Sequence, residues 1–186
     1  NLTAELVGLV ASLNSANARL PIPKSASLMT QWISGLHPQL DWNGFSNINH
    51  SGLSRKARYS ASHLACILQH AFALYPKGST NGGVHSRGFE DLLPRLNWEE
   101  ELGPKATTVA AKSGTMSYAD GLVGILRTSR NDALGFAILV TDFEEREIYD
   151  SQMLTLPPPH SKKALDWTER AKSFEKALLK QWSTLH

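Results

Sequence analysis

Three runs of β-type residues follow one another closely in the second half of the chain. They are ATTVAAK (106–112), GLVGILRT (121–128) and ALGFAILVT (133–141). Only a short polar turn at Arg130, Asn131 and Asp132 separates the last two runs, which is typical of an antiparallel hairpin or meander. An antiparallel sheet restricts the chain to folds in which other elements cover at least one face of that sheet.

Helical periodicity flanks these runs on both sides. Apolar residues recur at spacings of three and four, and we expect each set to form a buried face. The sets are Leu2, Leu6, Leu9, Val10 and Leu13; a segment at 27–36; Leu64, Ile67, Leu68, Ala71 and Tyr75; and Trp167, Ala171, Phe174, Leu178 and Trp182. The order of helices, strands and a final helix predicts an α+β protein with an antiparallel sheet flanked by helices.

Helix-breaking and helix-capping residues mark the ends of these helical segments. Pro21 and Pro23 separate the first two helical patterns, and Ser60 is placed to cap the third, which should end at Pro76. Residues 77–105 are expected to form a long loop, of the kind that often serves a site. The acidic cluster after residue 141 is expected to be a solvated loop, rather than a metal site.

Composition excludes several classes of protein. The 186 residues are 41% hydrophobic and 19% charged, which suits one globular domain or a large part of one. A net charge of +2 without a basic cluster argues against a nucleic-acid partner, and no apolar run approaches the roughly 20 residues of a membrane span. The single cysteine excludes an internal disulfide and a cysteine-based zinc site, and His63 and His70 lack the spacing of a zinc-protease pair.

The stretch AAKSGTMSYADGLVGIL (110–126) carries a cation and hydroxyls at the end of a strand. On a strand, Lys112 and Gly114 share one face, whereas Ser113 and Thr115 share the other. The glycine leaves room for a substrate backbone, the hydroxyls suit a carboxylate, and the ammonium stabilises negative charge. K-[ST]-G is one of three motifs of β-lactamases and penicillin-binding proteins. The same letters also describe an exposed strand lysine before a turn glycine.

A second stretch, HSGLSRKARYSASHL (50–64), makes the first more specific. It resembles the D-G-S-G-L-S-R segment and following helix of the D-Ala-D-Ala carboxypeptidase/endopeptidase family of class C low-molecular-mass penicillin-binding proteins. Five residues match in a row and precede K-S-G-T in the family's order, and FEDLLPRL (89–96) resembles the loop before the family's K-T-G strand. Two departures are the pair Asn49 and His50, where the family usually has aspartate and glycine, and Ser113, where threonine is commoner. Since glycine is often chosen for φ values that other residues avoid, His50 is expected to change the turn geometry.

The first residues extend this resemblance. Asn1 to Glu5 read N-L-T-A-E, which is similar to the helix that follows the family's S-x-N motif. The resemblance implies that Asn1 is the asparagine of that motif and that residues 1–186 are the C-terminal part of a single transpeptidase-like domain, without its nucleophile. Ser173 and Lys176 form the chain's one S-x-x-K, but they follow the K-S-G-T strand, so we interpret that pair as coincidental.

The resemblance implies a β-lactamase/transpeptidase-like fold and a serine-type D-Ala-D-Ala carboxypeptidase, or endopeptidase, in the periplasm or cell envelope. It implies an acyl-enzyme, peptidoglycan peptides and β-lactams as partners, and neither metal nor organic cofactor. This chain alone would be inactive. The alternatives are a serine β-lactamase and a non-catalytic penicillin-binding-like module. The implied site consists of Lys112 and Asn1 as catalytic residues, with Ser113, Gly114 and Thr115 for substrate binding.

Overall fold

A computed structural model describes residues 2–52, 54–75, 88–103, 106–130, 132–152 and 162–185. The chain forms two compact units, Asn1–Ile67 and Leu68–His186. In chain order the elements are α1 (Leu2–Ala16), α2 (Ile22–Leu36), α3 (Ala61–Leu74), a short 3-10 helix (Phe89–Leu92), β1 (Arg95–Leu96), α4 (Glu99–Leu102), β2 (Ala106–Met116), β3 (Ala119–Thr128), β4 (Ala133–Thr141), α5 (Phe143–Gln152) and α6 (Lys162–Leu185).

In the first unit, α1 packs against α2 through small side chains. Gly8 and Ser12 are the buried residues of α1, so the prediction of a buried leucine and valine stripe is wrong. Side chains of that stripe are 40–74% exposed: Leu2, Leu6, Val10 and Leu13. The small residues allow α2 and neighbouring side chains to approach closely, which the larger residues on the other face would not.

The predicted break between the first two helices is confirmed, and both prolines lie at the start of α2. Pro21 is the N-cap residue and Pro23 lies in the first turn, where the N–H that proline lacks would have no acceptor within the helix. The helix therefore begins at Ile22, five residues before the predicted segment.

Ser60 caps α3, as predicted. The backbone N–H of His63 donates to Ser60 Oγ at 3.2 Å, and the backbone N–H of Ser60 donates back to His63 Nδ1 at 3.0 Å. This reciprocal pair is a capping box in which histidine replaces the usual glutamate. Leu68 is buried, but the predicted core residue Tyr75 is exposed because the helix ends at Leu74.

The second unit is built on a four-stranded antiparallel sheet in the order β1-β2-β3-β4. The predicted α+β class, with an antiparallel sheet and flanking helices, is confirmed. Residues 88–103, predicted as loop, contain the 3-10 helix, β1 and α4, because their short apolar pieces lie along the sheet. The rest of the predicted loop, at 77–87 and 104–105, lies outside the described residues.

Helix α6 covers one face of the sheet. Its Leu179 packs in a buried cluster with residues of the strands, including Leu122, Leu126 and Phe136. The buried line along α6 is Ala164, Ala171, Glu175, Leu179 and Ser183. The predicted core residue Phe174 is instead 52% exposed, because the face turned to the sheet is rotated towards the positions after it.

The acidic segment after β4 is a helix, and the prediction of a loop there is wrong. Asp142 Oδ1 accepts a hydrogen bond from the backbone N–H of Glu145 at 3.1 Å, which is the geometry of an aspartate N-cap. No residue of α5 is buried, so the segment has no apolar periodicity to reveal it. Within the described parts of the chain, no helix is long and apolar enough to cross a membrane.

Candidate active site at the outer edge of β2

The register of β2 and β3 fixes where the K-S-G-T side chains lie. Ser113 is opposite Leu122, and Thr115 is opposite Asp120. Because Leu122 packs in the cluster beneath α6, Ser113 and Thr115 lie on the sheet face that α6 covers. Lys112 and Gly114 therefore lie on the opposite face.

The outer edge of β2 is paired over only part of its length. Strand β1 pairs with Val109 and Ala110, and the N–H of Ala111 donates to Pro94 O at 2.9 Å. Beyond that bond, no strand in the described part of the chain pairs with this edge. Since alternate residues of an antiparallel strand direct their N–H and C=O to the same side, Ser113 and Thr115 direct these groups off the sheet.

The side chains at this edge have few partners. The Lys112 ammonium is exposed and donates a hydrogen bond to the carbonyl oxygen of Ser113, which holds the charge beside the unpaired edge. Ser113 is exposed, and its hydroxyl makes no hydrogen bond to any described residue. At Gly114, an added Cβ would meet no atom of a described residue within 4 Å, so the described part of the chain leaves space open above the strand at that point.

Thr115 has a partner that the sequence analysis missed. Its hydroxyl donates to Asp120 Oδ1 at 2.5 Å. Asp120 is only 4% exposed, and burial raises the pKa of its carboxyl group, although the Thr115 hydrogen bond and the Lys172 charge act in the opposite direction.

A second buried carboxyl group lies near Asp120. Glu175 on α6 is 2% exposed, and its Oε1 accepts no hydrogen bond from any described residue. Burial, followed by the charge of Asp120, raises the pKa of Glu175 to about 7. Two signals could have identified this pair: Asp120 alternates with the buried Leu122, and Glu175 lies four residues from both Ala171 and Leu179.

In the first unit, the structure joins two segments that carry the family resemblance. Glu5 near the start of α1 accepts hydrogen bonds from the backbone N–H groups of His50 and Ser51, both at 3.1 Å, and from the Ser51 hydroxyl at 2.7 Å. The Ser51 hydroxyl is the main reason that the pKa of Glu5 is lowered. Leu53 of the matching segment lies outside the described residues.

His50 does not distort the turn that it enters. The residue with φ in the left-handed region is Gly52, at +73°, and His50 has no such φ. The imidazole instead fills the space beside Gly8, and its Nε2 lies 2.7 Å from the hydroxyl of the fully buried Ser25. The histidine of this turn therefore packs between α1 and α2.

The segment that resembles the family's loop is fixed to the sheet by an ion pair. Glu90 in the 3-10 helix is buried and accepts hydrogen bonds from Arg127 on β3, with the Nε to Oε1 distance at 2.8 Å. The guanidinium engages both carboxylate oxygens, which is the strong bidentate geometry. Hydrogen bonding to Glu90 raises the pKa of Arg127.

Two other candidate sites have structural explanations. Ser173 donates its hydroxyl to the Glu169 carbonyl within α6, and the Lys176 ammonium lies 5.0 Å from the centre of the Trp98 ring. The two residues of the S-x-x-K pair therefore have separate partners. His63 is buried and bonds to the Asp41 carbonyl. Over the described ranges, no three His, Cys, Asp or Glu side chains form a group that could hold a metal ion.

Asn1 lies outside the described residues. No family model, curated protein or solved structure matches the chain.

Proposed function

We propose that this protein is a serine-type D-alanyl-D-alanine carboxypeptidase that acts on peptidoglycan peptides and is acylated by penicillin. The observation that carries the proposal is the outer edge of β2. There the main-chain N–H and C=O groups of Ser113 and Thr115 lie beside an ammonium group and two hydroxyl groups, with no strand of the described chain paired to them.

Such an edge suits an extended peptide that ends in a carboxylate. The peptide backbone can pair with the strand edge, and Gly114 leaves the approach open. Ser113 and Thr115 supply hydroxyls for the terminal carboxylate, and the Thr115 N–H supplies one donor for the oxyanion. Lys112 stabilises the negative charge and assists proton transfer to the leaving group.

The nucleophile in this proposal is supplied as the family resemblance implies. A serine, assisted by the lysine three residues after it, belongs to the part of the family's domain that precedes the position matching Asn1. It attacks the carbonyl carbon of the D-Ala-D-Ala bond, D-alanine leaves, and water hydrolyses the acyl-enzyme. Asn1 contacts the substrate amide. The substrate places the protein in the periplasm or cell envelope.

Peptide turnover by the protein expressed from its whole reading frame tests the proposal. We expect release of D-alanine from a diacyl-lysyl-D-alanyl-D-alanine peptide, and none from the matched peptide that ends in L-alanine. Rapid hydrolysis of penicillin without D-alanine release would instead identify a β-lactamase. Binding of the peptide without turnover or acylation would identify a non-catalytic module.

A further inference from the structure

The hydrogen bond between Thr115 and Asp120 conflicts with a simple role for Thr115 as a donor. A hydroxyl group has one hydrogen, and an ionised carboxylate can only accept. While Asp120 is ionised, Thr115 therefore gives its hydrogen to Asp120 Oδ1, at the 2.5 Å distance typical of a hydroxyl bound to a carboxylate. The hydroxyl then offers only lone pairs to a ligand, and these repel a carboxylate.

Protonation of Asp120 reverses this hydrogen bond. The Asp120 carboxylate takes up a proton from solvent and becomes a neutral acid. Its O–H can then donate to Thr115 Oγ1, which leaves the Thr115 hydrogen free to bind a ligand. The same two side chains at the same separation therefore have a state that attracts an anion and a state that repels one.

Glu175 affects which state is populated. It lies on α6, which packs on β3, and its charge and that of Asp120 repel each other. Two neighbouring buried carboxyl groups resist joint ionisation, so that one of them keeps its proton while the other is ionised. The unpartnered Oε1 of Glu175 is consistent with a group that spends much of its time neutral.

We infer that Asp120 and Glu175 form a positioning pair that sets the direction of the Thr115 hydroxyl, and so sets the affinity of the β2 edge for a ligand carboxylate. This inference rests on the proposed function, because it concerns the carboxylate subsite of the same edge. Neither carboxyl group touches the substrate. Of the charged groups that act on the pair, Lys172 on α6 is the cation, and it favours ionisation of both carboxyl groups.

The test measures how the binding of two dipeptides, N-acetyl-D-alanyl-D-alanine and its C-terminal amide, depends on pH. Each dipeptide is titrated into the protein expressed from its whole reading frame at several pH values between about pH 4 and about pH 8. As Asp120 ionises, the Kd of the carboxylate dipeptide should rise about tenfold or more, since one charge-assisted hydrogen bond is lost. The Kd of the neutral amide should change far less.

Three variants separate positioning from a structural role. Asp120→Asn should bind the carboxylate dipeptide with an affinity that no longer follows pH. Thr115→Ser keeps the hydroxyl and should keep the pH dependence, whereas Thr115→Val should bind weakly at every pH. Binding by Asp120→Asn with the same pH profile as the unaltered protein would overturn the inference and leave the proposed function standing.

A titration of the carboxyl groups alone completes the test, and it needs no ligand. By carbon-13 NMR, Thr115→Val should raise the pKa of Asp120, because its anion loses a donor, and Asp120→Asn should lower the pKa of Glu175, because a negative neighbour is lost. If Thr115→Val leaves the pKa of Asp120 unchanged and Asp120→Asn leaves that of Glu175 unchanged, the pairing is overturned. Failure of both dipeptides to bind at any pH would overturn the proposed function and this inference together.

Discussion

Glu5 Oε1 accepts hydrogen bonds from both the backbone N–H and the hydroxyl of Ser51, at 3.1 and 2.7 Å. The two residues are 46 positions apart, and each belongs to a segment that resembles the same family. The carboxylate thus fixes the turn at residues 49–52 against the first turns of α1. Because the carboxylate accepts three hydrogen bonds in all, its loss should loosen this turn.

Glu5→Ala should lower the free energy of unfolding, and Glu5→Gln should lower it less, because the amide oxygen still accepts hydrogen bonds. The pKa of Glu5 is lowered in the folded state, so its stabilising contribution is present above its ordinary value and is lost as pH falls through the folded-state pKa. Urea denaturation at neutral and acidic pH measures both effects. Equal losses for Glu5→Ala and for the exposed control Glu144→Ala would contradict the role of Glu5.

Gly8 is required by His50. An added Cβ would lie 2.2 Å from His50 Cγ, so Gly8→Ala should cost about 1–3 kcal/mol of unfolding free energy as overpacking. The matched control is Gly35→Ala in α2, where an added Cβ has no described residue within 4 Å and alanine should stabilise the helix by up to about 1 kcal/mol. In a double-mutant cycle, Gly8→Ala combined with His50→Ala should cost less than the sum of the single changes. Additive costs would show that the two residues do not interact.

Substitution by alanine should affect stability very differently at two glycines of the sheet. At Gly124 the new Cβ would lie 2.3 Å from Ala110 O and 2.4 Å from Ala111 Cβ, so Gly124→Ala should cost at least about 2–3 kcal/mol in thermal or chemical unfolding. At Gly114 no described residue lies within 4 Å of an added Cβ, so Gly114→Ala should leave stability within about 1 kcal/mol. It should nevertheless slow acylation by penicillin, because the methyl group enters the proposed substrate path. The assignment fails if Gly114→Ala acylates at the unaltered rate.

The sheet could be predicted because its strands are short apolar runs of small and β-branched residues, bounded by turn residues. Helix α5 could not, since it buries none of its residues and so has no apolar period. In α6, two faces satisfy helical spacing, and periodicity alone favoured Phe174 over the polar Glu175.

The site could be predicted only in part for a related reason. The K-S-G-T motif located the strand end, and strand alternation assigned its faces. Asp120 and Glu175 were missed because carboxyl groups at core positions oppose the expected pattern of burial. The unpaired edge of β2 depends on how far β1 extends along it, which is a property of the assembled sheet.

Glu175 should make the protein less stable as pH rises. Its folded-state pKa of about 7 lies above its ordinary 4.5, so the folded state holds the proton more tightly than the unfolded chain. The free energy of unfolding should therefore fall between about pH 4.5 and about pH 7, and stay low above that range. At about 1.4 kcal/mol for each pH unit between the two pKa values, the fall is at most about 3–4 kcal/mol.

Glu175→Gln should remove most of that fall, as measured by urea denaturation at about pH 5 and about pH 8. Glu175→Leu supplies a second variant without a buried polar group. If both variants keep the full pH dependence of the unaltered protein, another group is responsible.

Lys112→Ala should slow acylation by penicillin at least about a hundredfold, because the ammonium group is the cation at the β2 edge. Its stability should change little, since the side chain is exposed and its one hydrogen bond to a described residue is to a neighbouring carbonyl group. Lys180→Ala, which removes an exposed lysine of α6, is the control and should acylate at the unaltered rate. Equal acylation rates for the two variants would remove Lys112 from the site.

The most direct measurement is the intact mass of the protein, expressed from its whole reading frame, before and after incubation with benzylpenicillin. The account predicts that the mass rises by one penicillin molecule and that a substrate peptide ending in D-Ala-D-Ala slows the rise. A folded protein whose mass stays unchanged after long incubation with excess penicillin would contradict it.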